Sequence, residues 1–127
     1  YKRQVGALRA LGMTKPEALT TLPVQAVLGE LGQVLFDPPS VGGWPQNEYW
    51  LSTAAALTRW QFAHQLVAKA DLSSVVDEAA RARVDAVGHL LGIPSWQSVT
   101  AETLKKTAGD PETLTVLALV SPEFVTN

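Results

Sequence analysis

At 127 residues, with 46% hydrophobic and 17% charged side chains, the chain reads as globular and long enough to bury a core. Its formal net charge of -2 and lack of any basic run exclude a phosphate-reading nucleic-acid surface and an electrostatic hold on membranes. The absence of Cys removes disulfides and zinc–thiolate sites, and no apolar run is long enough to span a bilayer.

The chain opens on Tyr1-Lys2-Arg3-Gln4 without an initiator Met and passes straight into a helical pattern, Val5, Leu8 and Leu11. A chain that begins inside an element is expected to be the C-terminal fragment of a larger protein, forming here a single helical domain over 1–127. Gly12 is the expected helix stop. Thr14-Lys15-Pro16-Glu17 has the form of a capping box and opens a short helix to about Leu22, with Pro23 starting the next. From Val24 to Phe36, the residues Val24, Val27, Leu28, Leu31, Val34 and Leu35 share one helical face. Gly29 and Gly32 fall on a neighbouring face, where another backbone, or a second copy of the chain, would find room to approach.

The next stretch is the most distinctive. Leu35-Phe36-Asp37-Pro38-Pro39-Ser40-Val41-Gly42-Gly43-Trp44-Pro45 holds three prolines and two glycines, so neither a helix nor a central strand can form. Because Phe36, Val41 and Trp44 are costly to leave in water, the loop is expected to fold onto the body of the domain. Pro38, Pro39 and Pro45 would stiffen it, and Gly42 and Gly43 would let the backbone turn Trp44 inward.

Ser52 or Thr53 caps a long helix to about Lys69, with Ala55, Ala56, Trp60, Phe62, Ala63, Leu66 and Val67 on its apolar half. Arg59 lies in the middle of that half, where a lone guanidinium is costly, so it is expected to be buried and bonded to the loop through Asp37 or backbone carbonyls. Replacing it would then destabilise by roughly 3 kcal/mol or more. Asp71-Leu72-Ser73 caps a helix running to about Leu91, stopped by Gly92 and Pro94. Arg83 intrudes into its apolar arc as a structural residue whose stem covers apolar surface, while Asp77, Arg81 and Asp85 form an outer ladder. A loop at Trp96 leads to a helix near Ala101 to Ala108 capped by Thr100. Asp110-Pro111-Glu112 then starts the last long helix, and Ser121-Pro122-Glu123-Phe124 a final turn. The fold class is all-α, an irregular bundle of about six helices with a rigid Pro/Gly/Trp loop between two central ones.

Catalytic signals are thin. His64 and His89 have no ligand partner at helical spacing, so no metal or cofactor is expected and both read as surface residues. No nucleophile elbow, P-loop or dinucleotide fingerprint is present, and Ser40 and Ser52 have no visible base. The strongest constellation is Asp37, Trp44, Trp50 and Arg59, joined by Glu48. Two indoles with an Asp–Arg pair would make a small binding platform. Alternatively the indoles plug the core while Arg59 ties the loop down.

Three segments carry a family resemblance: Leu31-Gly32-Gln33-Val34-Leu35-Phe36-Asp37-Pro38-Pro39 with Val41-Gly42-Gly43-Trp44-Pro45; Trp50-Leu51-Ser52 with Arg59-Trp60-Gln61-Phe62-Ala63; and Ser121-Pro122-Glu123-Phe124. They resemble the C-terminal portion of the bacterial family called domain of unknown function 1800, with Gln46-Asn47 in place of two glycines and Ser40 in place of Asn. The resemblance implies a larger, exported parent protein and, by gene association, a sulfatase-like partner; it implies no catalytic residue. The expected function is a non-catalytic structural or interaction module that contacts the rest of its parent chain. The alternative is part of an enzyme acting on cell-surface polymer, to which Asp37, Glu48 and Arg59 would contribute.

Overall fold

A computed structural model describes residues 2–15, 24–34, 36–44 and 52–126. The expected short helix between Thr14 and Leu22 falls largely outside these residues. Among them the chain is helical, with no strand. We label the helices α1 (Lys2–Ala10), α2 (Val24–Glu30), α3 (Thr53–Val67), α4 (Ser73–Val76), α5 (Arg83–Leu91), α6 (Ser98–Thr107), α7 (Pro111–Leu119) and α8 (Pro122–Thr126).

The all-α expectation holds, but the centre of the molecule differs from the one anticipated. Helix α7, not the pair flanking the loop, is the hub, touching α3, α5, α6 and α8. Leu114, Thr115, Val116, Ala118 and Leu119 are all buried, so this helix is covered on nearly every side. Its one buried hydroxyl, on Thr115, is satisfied by donating to the Pro111 carbonyl at 2.8 Å. Asp110 caps the helix as its sequence suggests, accepting from the N–H groups of Glu112 and Thr113, with Pro111 in the first turn. Phe62, Leu66, Val84, Val87, Leu91 and Leu104 from the surrounding helices complete the core, which Ala7 and Leu8 of α1 and Leu11 just beyond it join.

Three helices end alike. At α2, Gly32 adopts φ +63 and its N–H donates to the Gly29 carbonyl, while Gln33 N–H returns to Leu28. This paired closure stops α2 at Glu30, short of the Phe36 that apolar spacing suggested. Gly32 is therefore a cap in a conformation that favours glycine, and the shared Gly29–Gly32 face does not exist. Gly12 and Gly92 close α1 and α5 with the same pair of bonds.

The expected continuous helix from Ser73 to Leu91 is broken into α4 and α5. Arg83 takes the carbonyls of Val76 and Glu78 at 3.2 and 3.0 Å, groups that an unbroken helix would use for its own ladder. Asp77 and Arg81 thus lie in a turn, and the outer ladder with Asp85 does not form. Helix α6 begins at Ser98, earlier than expected, so Thr100 is inside it rather than capping it. Among the described residues no helix is long and apolar enough to cross a membrane.

Candidate functional site

Exposed apolar side chains stand out in two places, the loop after α2 and the outer side of α3. The loop begins at Val34, whose carbonyl accepts the N–H of Asp37 at 3.3 Å and the indole Nε1–H of Trp44 at 3.0 Å. The first bond closes a four-residue turn in which Phe36 is third. Phe36 has φ +63, a conformation costing an ordinary L-residue about 1–2 kcal/mol. Despite that strain its side chain is 88% exposed. The loop spends conformational energy to hold a phenyl ring in water.

Pro38 and Pro39 then carry the chain into a second turn. Gly43 N–H donates to the Ser40 carbonyl at 3.0 Å and Gly42 N–H to Ser40 Oγ at 3.2 Å, with Gly43 at φ +89. Val41 forms the tip of that turn and is fully exposed. Trp44 is 43% exposed, its N–H spent on Val34. These positions correct the expectation that the loop's apolar side chains pack inward: its own turns lock it, and they display Phe36, Val41 and Trp44. Pro45, Glu48 and Trp50 lie outside the described residues.

Helix α3 starts where expected, with Ser52 Oγ accepting from Ala55 N–H at 3.2 Å. Ala55, Phe62, Ala63, Leu66 and Val67 are buried, as the apolar spacing indicates. Ala56 and Trp60 are instead exposed. Thr58 is buried in the apolar half and donates through Oγ1 to Glu30 Oε2 of α2 at 3.2 Å. Its angular position carried the signal, and its polarity hid it. On the outside Leu57 is exposed, and Trp60 meets the ring of exposed His64 edge-on at 4.7 Å. His89 is exposed as well.

Arg59 departs most from expectation. It is half-buried, and among the described residues it has no ion pair or hydrogen bond, with Asp37 or with any loop carbonyl. Asp37 is exposed. Burial alone therefore acts on the guanidinium and lowers its pKa. The carbonyl-gathering role expected of Arg59 belongs to Arg83, whose Nη1 also reaches Ala108 and Gly109 at 3.0 and 3.5 Å.

The remaining titratable groups with a displaced pKa serve caps. Asp110 is held low by the Thr113 hydroxyl and N–H, and Asp71 by the N–H of Ser73. Burial pushes Glu123 upward, but bonds led by the Gln97 N–H outweigh it and leave the carboxyl below its ordinary value. Gln97 N–H meets Oε1 at 2.9 Å, so a side chain of α8 caps α6. Oε2 is buried without a partner of hydrogen-bonding geometry, though the Thr100 and Ser121 hydroxyls still favour its charged form. Among the described residues no group of three His, Asp or Glu side chains is placed to hold a metal ion.

A family model described as protein of unknown function (DUF1800) matches residues 1–126, so the chain belongs to that family. No curated protein and no solved structure matches it.

Proposed function

We propose that this member of the domain of unknown function 1800 family is a non-catalytic interaction module of a larger, exported bacterial protein. Its apolar loop is the surface that meets the rest of that protein. The observation that carries the reading is Phe36, a bulky side chain in a strained backbone conformation and almost fully in water. Strain of that kind confers nothing on the isolated fold, since Asn or Gly would form the same turn at lower cost. It makes sense where the ring enters a partner. Val41 and Trp44 on the same loop supply further exposed apolar area for such a contact. Because two turns and the Trp44–Val34 bond pre-order the loop, docking would lose little chain entropy. The sulfatase-like protein associated with the family is the candidate for a separate partner, on association alone.

Hydroxyl-radical footprinting of the chain and of its full parent protein tests this. Phe36, Val41 and Trp44 should label strongly in the first and be protected in the second. Equal labelling in both would overturn the reading. Polymer hydrolysis by the parent protein that disappears with Asp37→Asn would replace it with the enzyme alternative.

A further inference from the structure

Asp is joined to Pro at Asp37–Pro38 and at Asp110–Pro111, and the fold treats the two bonds differently. Proline gives such a bond its own chemistry. Its nitrogen carries no hydrogen, which closes the side-chain imide route open to other Asp peptides. Its tertiary amide is also more readily protonated at nitrogen, and it departs as a secondary amine. At Asp110 the carboxylate is fully engaged: Oδ1 accepts from the N–H groups of Glu112 and Thr113 at 3.1 and 3.3 Å, and Oδ2 from the Thr113 hydroxyl at 2.6 Å. Pro111 opens α7, the hub of the fold, so a severed amine would be held beside the acyl group it left. Asp37 is the opposite case. Its N–H is fixed by the Val34 carbonyl, but among the described residues its side chain makes no hydrogen bond or ion pair, and both Asp37 and Pro38 are exposed. The bond between them lies between two separately closed turns, one ending at Asp37 and the other starting at Ser40.

We propose that Asp37–Pro38 is a self-cleaving bond, split in mild acid by the Asp37 carboxylate with only a proton and a water molecule as co-reactants. A side-chain oxygen attacks the carbonyl carbon of Asp37 itself and closes a five-membered anhydride. The C–N bond to Pro38 breaks, its electron pair stays on nitrogen, and the nitrogen takes a proton from the medium and leaves as a new amine terminus. Water then opens the anhydride and leaves two carboxyl groups on Asp37. The cut would part Phe36 from Val41 and Trp44, and the inference does not depend on reading the loop as a contact surface.

Intact-mass spectrometry on the whole chain held at about pH 4, with circular dichroism to follow folding, tests this. In the folded chain, fragments 1–37 and 38–127 should accumulate roughly tenfold or more faster than 1–110 and 111–127, the scale of one hydrogen bond to a charged acceptor. Urea, which dissolves the Asp110 cap, should bring the two rates together. Asp110 stays ionised further into acid than an ordinary carboxyl, so ionisation alone would favour the other bond and cannot mimic the result. Asp37→Asn, at an exposed position, should abolish the first cut. If the chain unfolds at about pH 4, the comparison moves to the lowest pH that keeps the neutral spectrum. Rates within about threefold of each other in the folded chain would overturn the proposal. So would a cut that survives Asp37→Asn, or an intact Asp37–Pro38 bond over a period in which the urea-unfolded chain is cut there.

Discussion

Arg83 Nη1 donates to the Ala108 carbonyl at 3.0 Å, and through that contact the start of α5 holds the end of α6. The same guanidinium reaches the Val76 carbonyl at the end of α4 and that of Glu78 in the turn beyond. Two helix C-termini, each leaving carbonyls without intrahelical donors, converge on one cation. Replacing Arg83 by Met keeps most of the apolar stem but strips one partly buried carbonyl, that of Ala108, and the exposed ones of Val76, Glu78 and Gly109 of their donor. With water free to take the exposed carbonyls, the loss is expected to cost about 1–2 kcal/mol in urea unfolding. Arg83→Lys should recover less than half of it, because an ammonium cannot span carbonyls this far apart in direction. A cost below about 1 kcal/mol for Arg83→Met would mean that water replaces the clamp.

Gly88, in the middle of α5, exists to admit Trp96. A Cβ there would lie 3.1 Å from the indole Nε1 and 3.4 Å from the Ile93 carbonyl oxygen. The indole cannot easily retreat, since Nε1 donates to the Val84 carbonyl at 3.2 Å. Gly88→Ala gains helix propensity of about 1 kcal/mol and forces the indole to give by a few tenths of an ångström, while the Ile93 oxygen stays at ordinary contact distance. With the indole held by its bond to Val84, the crowding should win, giving a net destabilisation of up to about 1 kcal/mol and a redder Trp96 emission. A rise in melting temperature would show that the indole yields.

The all-helical class, the caps at Gly12, Ser52, Asp110 and Gly92, and the buried face of α3 were legible because each follows from local chemistry. Three things were not. The break between α4 and α5 contains neither Gly nor Pro; it comes from a side chain competing for backbone carbonyls, a tertiary effect that spacing does not encode. Arg59 and Arg83 both interrupt apolar arcs, and only the arrangement of neighbouring helix ends decides which one gathers carbonyls. The loop's rigidity was readable from its prolines and glycines, but its direction was not. Nothing in the sequence says that Phe36 takes a left-handed backbone conformation and faces outward.

Glu123 ties part of the acid stability to a cap distant in sequence. Its folded pKa lies below the unfolded value, so between the two the unfolded chain binds more protons and stability rises with pH. The contribution is complete above the ordinary Glu pKa and disappears as pH falls through the lower, folded value. Urea midpoints measured from neutrality into the acid range should fall less steeply for Glu123→Gln than for the parent chain, because Gln keeps an acceptor for Gln97 N–H and does not titrate there. Parallel profiles would place the acid sensitivity in Asp71, Asp110 or other carboxylates.

Arg59 reverses the effect expected from the sequence. With no acceptor among the described residues to abandon, Arg59→Met removes a partly desolvated charge and keeps its apolar stem. Stability should stay the same or rise by up to about 1 kcal/mol in urea unfolding. A loss of about 3 kcal/mol would show that the guanidinium does hold the fold together.

Phe36 offers the sharpest separation of stability from function. Its φ of +63 in the turn closed by Asp37 N–H and the Val34 carbonyl suits Asn far better than Phe, and the exposed ring returns little hydrophobic free energy to the isolated fold. Phe36→Asn should therefore stabilise the chain by about 1 kcal/mol, a rise of roughly 3–6 °C in melting temperature for a chain of this size. If the ring is there to enter a partner, the same variant should lose protection of Val41 and Trp44 in the parent protein's footprint. A variant that melts lower than the parent chain would show that Phe36 packs on its own domain after all, and the loop would then be a structural plug. Stabilisation with unchanged protection would keep the strain argument and remove Phe36 from the contact.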